Sequence, residues 1–131
     1  MPEKRPTFTR IDRDGENSAG LASAPHDPSD TSIDGADHPL SYTAYTDSTK
    51  QLTAGVWACD AGTLEIKNLP FDEICFVIDG EVEVTDDQGL NQRFGEGDAF
   101  VLHKGFTGTW RMPRSFRKFN GIFTATIINQ K

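Results

Sequence analysis

Hydrophobic and polar residues alternate in short runs along most of the chain, and this pattern predicts antiparallel β-structure. The apolar runs are rich in β-branched and aromatic residues, and Gly and Asp interrupt them about every 8 to 12 residues, as in a barrel or sandwich. No window has a 3.6-residue apolar period, so we expect little helix. The predicted strands are Leu40–Tyr45, Leu52–Cys59, Thr63–Lys67, Glu73–Ile78, Glu81–Thr85, Ala99–His103, Gly108–Met112 and a final pair within residues 116–129.

The first 39 residues depart from this pattern. Thr7–Ile11 is a candidate short strand, but residues 12–39 contain only Leu21 and Ile33 as large apolar residues. Such a segment buries too little to offset its ordering entropy unaided. We therefore divide the chain into an acidic, irregular N-terminal arm, residues 1–39, and a β-barrel domain, residues 40–131. The arm is either flexible or wraps around its own barrel or a partner's.

Charge is unevenly distributed and suggests where the arm docks. Residues 12–39 hold seven acids and one base, whereas residues 99–131 hold six bases and no acid. We expect the arm to dock on the basic C-terminal strands, with Leu21 and Ile33 as apolar anchors. The alternative is that these bases bind an anionic ligand. The total of −7 argues against a nucleic-acid partner.

Length and cysteine content limit the class of protein. A chain of 131 residues suits one domain with a real core. No stretch of about 18 apolar residues and no signal-peptide pattern occurs, so no membrane partner is expected. Cys59 and Cys75 are too few for a disulfide framework and are expected to be reduced, which predicts a cytoplasmic protein.

Residues 52–123 resemble the cupin superfamily. The interval from Glu73 to Gly80 matches the end of the first cupin motif, and Gly97-Asp98 through Gly105 matches the frame of the second. Within cupins, the chain is similar to those related to (S)-ureidoglycine aminohydrolase and to ethanolamine-utilisation cupins. The segments that carry this similarity are Ala54-Gly55-Val56-Trp57, Gly80-Glu81-Val82-Glu83-Val84 and Gly105-Phe106-Thr107-Gly108-Thr109-Trp110. The resemblance implies an all-β fold, a single cupin-type jelly-roll antiparallel barrel.

The metal ligands that the resemblance implies are largely missing. Metal-binding cupins use two histidines and a glutamate from the first motif and one histidine from the second. Here the first two histidine slots fall within Ile66 to Leu69, and Gly108 fills the last one. Because none of these positions holds a histidine, the usual set of four ligands is absent, and we expect no metal cofactor.

Glu73 is the one candidate catalytic residue that remains. Strand alternation groups it with Cys75 and Val77, and the resemblance turns that face toward the interior. Burial would raise the pKa of the carboxyl and suit it to general acid–base work. The alternative is an ion pair with an Arg or Lys of the basic C-terminal strands. Cys75 is a candidate nucleophile only if a base lies near it.

The predicted ligand pocket extends from Glu73 to residues of the neighbouring strands. Trp110 and Met112 share a face with Gly108, which would leave space where the family has its histidine. Trp110 then either walls the cavity or packs in the core. His103 occupies a rim position that is usually proline in the family. The predicted pocket residues are Glu73, Cys75, Trp110, Met112, Asn68 and His103.

Two functions remain open at this point. The first is a small-molecule binder or enzyme, aminohydrolase- or lyase-like, acting on a small polar nitrogenous or carboxylate compound. The second is a non-catalytic cupin that senses a ligand or serves as an assembly partner. In either case we predict a homodimer, because an isolated barrel of this size leaves strand edges and apolar surface that need cover.

Overall fold

The computed structural model describes residues 6–16 and 20–125, which form two antiparallel sheets. The strands are β1 (Ala22–Ser23), β2 (Asp30–Gly35), β3 (Leu40–Thr46), β4 (Leu52–Cys59), β5 (Gly62–Ile66), β6 (Asp72–Asp79), β7 (Glu81–Asp86), β8 (Asn91–Gly95), β9 (Ala99–Leu102), β10 (Gly108–Met112) and β11 (Phe116–Phe123). One sheet has the order β1-β3-β4-β11-β6-β9 and the other β2-β5-β10-β7-β8. The described residues contain no α-helix. This all-β arrangement is the predicted cupin-type jelly roll.

The core lies between the two sheets and follows the predicted alternation. On β6, Glu73, Cys75 and Val77 are buried, whereas Ile74 and Phe76 are exposed. Gly80 joins β6 to β7 with a φ of 86°. A Cβ atom there would collide with the Ser115 carbonyl oxygen, so only glycine fits this bend. The bend at the end of the first motif thus requires its glycine.

Strand β11 is central to the six-stranded sheet and brings the basic end of the chain inside. It pairs with β4 on one side and with β6 on the other. The register with β6 shifts between Arg117 and Lys118. Phe116 and Lys118 are buried, and Asn120 is half-buried. A lysine from the basic third of the chain therefore lies in the interior next to β6.

The arm contains two strands that composition did not predict. Strand β2 pairs with β5, and the short β1 pairs with β3. The prediction of an irregular arm is therefore wrong for residues 30–35, because backbone hydrogen bonds hold this edge strand in place of apolar side chains. Ile33 is 57% exposed and is not an anchor, whereas Ala36 is 1% exposed and packs in the core.

The arm also reaches the C-terminal strand, as predicted. Arg117 Nη1 donates to Asp14 Oδ1 over 2.9 Å, and Arg13 Nη2 donates to Asp79 Oδ2 over 2.8 Å. The paired part of the arm lies on β5 and β3, however, and not on the basic strands. Docking thus has a polar contribution at residues 13–14 and a larger backbone contribution at β2.

Several strand predictions need correction. Residues 7–11 form no strand, and Phe8 is exposed. The predicted final pair is a single strand, β11, up to Phe123, and residues 126–129 lie outside the described part of the chain. Strand β8 was not predicted, because its residues are mostly polar and lie at a sheet edge. The four central strands β4, β6, β7 and β10 match their predicted positions closely.

Candidate functional site

A cavity of about 260 Å³ opens between the two sheets and is partly covered by the arm. Its polar lining comes from three parts of the chain, and Leu64, Ile66, Leu69, Phe71 and Leu102 add apolar surface. Strands β3 and β4 contribute one wall, with Trp57, and the inward face of β6, β10 and β11 contributes Glu73, Trp110, Lys118 and Asn120. Residues of the arm between Ala24 and Asp30 contribute the third. Polar and charged groups thus converge in a mostly apolar chamber, which is the usual form of a small-molecule site.

Glu73 and Lys118 form a buried ion pair in this cavity. Lys118 Nζ donates to Glu73 Oε2 over 2.7 Å, and Asn120 Nδ2 donates to the same oxygen over 3.3 Å. Glu73 is 7% exposed and Lys118 is 6% exposed. Glu73 therefore faces inward, as predicted, and the alternative of an ion pair with a C-terminal base is confirmed.

Two tryptophans enclose the Lys118 ammonium. The Nζ atom lies 4.5 Å from the ring centroid of Trp110 and 5.1 Å from that of Trp57, and the two rings meet edge to face. Such contacts stabilise a desolvated cation. Burial lowers the pKa of Lys118, but the nearby Cys75 sulfur and the Glu73 carboxylate more than offset it, so the pKa is raised. The lysine stays protonated and is not an amine nucleophile.

Cys75 lies next to this pair, and its thiol is unreactive. Its Sγ is 3.6 Å from Lys118 Nζ, and its side chain is fully buried. Burial raises the pKa of Cys75 to about 12, although Lys118 opposes this shift. Since the thiolate is the nucleophile, Cys75 is not activated in this environment.

Asp30 is a candidate functional residue that sequence reasoning missed. It begins β2, is half-buried, and lines the cavity together with Asp27. Burial, together with the charges of Asp27 and Glu73, raises the pKa of Asp30 to about 6, against the opposing charges of Lys118 and His26. A carboxyl group with this pKa exchanges protons near neutrality. Asp30 reaches the cavity only because β2 pairs with β5, and no local sequence pattern indicates that pairing.

The six predicted pocket residues are not all together. Glu73 and Trp110 line the cavity. Cys75 and Met112 are buried beside it in the core. Asn68 lies in an exposed turn, where its backbone N–H donates to Thr107 Oγ1. His103 is exposed and lines a separate groove of about 400 Å³ with Phe94, Phe100 and Phe106. The predicted pocket residues are thus divided among the cavity, the core, an exposed turn and a separate groove.

The residues at the family's metal positions do not fit a metal. Ile66 and Leu69 are buried apolar side chains. Gly108 leaves no space, contrary to the prediction, because a Cβ atom there would collide with the Thr85 carbonyl oxygen and the Phe106 ring. Within the described part of the chain, no three His, Cys, Asp or Glu side chains are grouped as metal ligands would be. The absence of a bound transition metal stays a prediction, tested below.

Comparisons with known proteins agree with this fold. The model of the EutQ-like cupin domain matches residues 46–119. An ethanolamine utilization protein Q structure from Salmonella typhimurium LT2 is 24% identical with a TM-score of 0.59, over 70% of this chain and 76% of that one. The Clostridium difficile EutQ structure is 22% identical with a TM-score of 0.58, over 71% of this chain and 65% of that one.

A third structure is similar over more of this chain. It is a protein of unknown function of the DUF861 family from Pseudomonas syringae pv. tomato, 25% identical with a TM-score of 0.65, over 86% of this chain and 46% of that one. No curated protein matches the sequence. No helix in residues 6–16 and 20–125 is long and apolar enough to cross a membrane. Since the family model matches more than half of the sequence, the chain belongs to the EutQ-like cupin domain family.

Proposed function

We propose that this cupin binds a small polar nitrogenous or carboxylate molecule in the cavity around Glu73 and Lys118. The observation that carries the proposal is the buried ion pair itself. Removing each of the two charges from water costs roughly several kcal/mol. Two hydrophobic side chains of similar size would fill the same space without that cost. A charged pair that lines an open chamber is therefore better explained by ligand binding than by stability.

A matched pair of variants tests this proposal. Ser41 lines the cavity from β3, whereas Thr31 is exposed on β2 and lies outside it. Small amines, amides, ureides and carboxylates are screened for thermal stabilisation of the protein. A ligand of the cavity should stabilise wild type and T31F but not S41F, because the phenylalanine would fill the binding space. Equal stabilisation of both variants would show that binding occurs elsewhere.

The residues also support an enzymatic version of the proposal. In an aminohydrolase- or lyase-like reaction, Asp30 would take and return the proton, since its pKa of about 6 suits general acid–base work. Lys118, held protonated, would stabilise negative charge on a substrate oxygen. Release of ammonia from a stabilising ligand, lost in D30N but kept in D34N, would support this version.

A non-catalytic ligand sensor is the second candidate. It is favoured by the pairing of Glu73 with Lys118, because Glu73 Oε2 already accepts hydrogen bonds from Lys118 Nζ and Asn120 Nδ2 and is not free to take a proton from a substrate. In that case a ligand would stabilise the protein and be recovered unchanged after long incubation. A cytoplasmic location belongs to the proposal in either version, and the two free, buried cysteines support it.

A further inference from the structure

The cavity carries an excess of negative charge. Three carboxylates line it, from Asp27, Asp30 and Glu73, and the ammonium of Lys118 lines it with them. Glu73 forms an ion pair with that ammonium, with Lys118 Nζ 2.7 Å from Glu73 Oε2. The two remaining carboxylates lie on the arm and have no ion-pair partner among the described residues. The unbalanced charge is thus concentrated where the arm meets the opening.

The surroundings of Lys118 limit what it can offer an anion. Its Nζ is in contact with Glu73 and Cys75 and is packed against the rings of Trp57 and Trp110. A carboxylate ligand would have to compete with Glu73 for this one ammonium and would also approach Asp30. A positively charged ligand would instead be attracted by the carboxylates of Asp27 and Asp30.

We propose that the cavity takes a small organic cation, whose charged nitrogen is held by Asp30 and Asp27 of the arm. This rests on the proposed function and assigns its ligand class. The volume of about 260 Å³ lies just below the range of about 300 to 1,000 Å³ that drug-sized ligands occupy, so the ligand has few heavy atoms. Burial and the neighbouring carboxylates of Asp27 and Glu73 raise the pKa of Asp30, and the charges of Lys118 and His26 offset this only in part. A bound cation would supply further positive charge beside Asp30.

The specificity residues therefore lie outside the part of the chain that matches the family model. That match begins at residue 46, whereas Asp27 and Asp30 precede it. The arm is then a specificity element of the site as well as part of its wall.

The test uses three probes of nearly equal size and different charge: n-butylammonium, 1-butanol and butyrate. Each is titrated into the full-length ¹⁵N-labelled protein at neutral pH, and the indole N–H signals of Trp57 and Trp110 report binding in the cavity. We expect butylammonium to bind about tenfold more tightly than butyrate. D30N should remove most of that preference, and D34N should keep it, because Asp34 is exposed on the same strand.

The outcomes separate this inference from the function on which it rests. Butyrate binding in the cavity as tightly as butylammonium would overturn the cation assignment and leave the binding function standing. If none of the three probes moves either indole signal, even at concentrations near its solubility limit, both the cation assignment and the binding function would be overturned. Should D30N not fold, D27N replaces it, with the same expected loss of preference and the same control.

Discussion

Glu73 and Lys118 lie on the paired strands β6 and β11, and their side chains meet at 2.7 Å in the interior. The two residues are 45 positions apart in the sequence, so only the antiparallel pairing of these strands brings them together. Side chains alternate along β11, so Lys118 is buried on the same inward face as Phe116. This relationship leads to a direct prediction about stability.

Replacing one residue of the pair should lower the free energy of unfolding strongly, whereas replacing both should lower it much less. K118M or E73M alone leaves a buried, unpaired charge, and each should lower the free energy of unfolding by about 3 kcal/mol or more. The double variant should recover much of that loss, because no buried charge remains. Urea unfolding measures all three. The control is the exposed pair Glu65–Lys67, 3.3 Å apart, where K67M should cost less than about 1 kcal/mol. Additive losses at Glu73 and Lys118 would contradict the coupling.

Asp30 should make the protein less stable as the pH rises. Its pKa is 3.8 in its unperturbed state and about 6 in the fold, so the folded state holds the proton more tightly. Stability from the protonated form is complete below pH 3.8 and is lost as the pH rises through about 6. D30N should therefore be more stable than wild type above pH 7, by about 1 to 2 kcal/mol after discounting for solvent screening. The difference should vanish near pH 4, and a difference that is constant from pH 4 to 8 would contradict the shift.

The outer face of the six-stranded sheet is the surface on which we expect the homodimer to form. Ile74, Phe76 and Val101 lie there and are 44% to 56% exposed. From the sequence, Phe8, Ile11 and the apolar run Ile122 to Ile128 would be expected to form this surface. Ile122 instead lines the cavity, and residues 126–128 lie outside the described part of the chain. Light scattering at tens of micromolar should give a dimeric mass, reduced to that of a monomer in I74K.

Ile33 provides the control for that experiment. It is 57% exposed and lies on β2, at the edge of the five-stranded sheet. I33K should therefore stay dimeric. A monomeric wild type would contradict the homodimer, and a dimeric I74K would move the interface to another surface.

Elemental analysis tests the prediction of no transition metal. The protein purified without chelators should contain far less than one Mn, Fe, Ni or Zn per chain, because Ile66, Leu69 and Gly108 offer no ligand atoms at the family's positions. Close to one metal per chain, retained after dialysis, would mean that other residues form a site.

Hydrogen exchange should divide the arm into two parts. Amides of β2 that bond to β5 should exchange slowly, since detaching them breaks a sheet ladder. Residues 6–11, which form no strand, should exchange within seconds. Salt should speed exchange near Arg13 and Asp14, whose ion pairs are exposed, and leave β2 unchanged. Rapid exchange throughout residues 30–35 would show that β2 does not dock in solution.

The sequence predicted those parts of the site that depend on a pattern of consecutive residues. It did not predict the parts that depend on pairing between distant strands. The alternation on β6 is a property of consecutive residues, so the inward orientation of Glu73 and Cys75 could be predicted. The pairing of Glu73 with a C-terminal base remained one of two alternatives, because Lys118 carries no mark that separates it from the exposed bases around it. Asp30 was missed because five of the six β2 residues are exposed, and the strand is held by its backbone.

The position of the arm in the wall of the cavity has a consequence for related chains. The core matched by the family model contains Glu73 and Lys118, which cancel each other's charge, whereas Asp27 and Asp30 come from the segment before it. Homologues that keep the core but exchange this segment would keep the fold and change the charge of the compound they select. Grafting residues 20–39, which include β1 and β2, between such homologues would then transfer ligand preference while the chain from residue 40 onward stays unchanged.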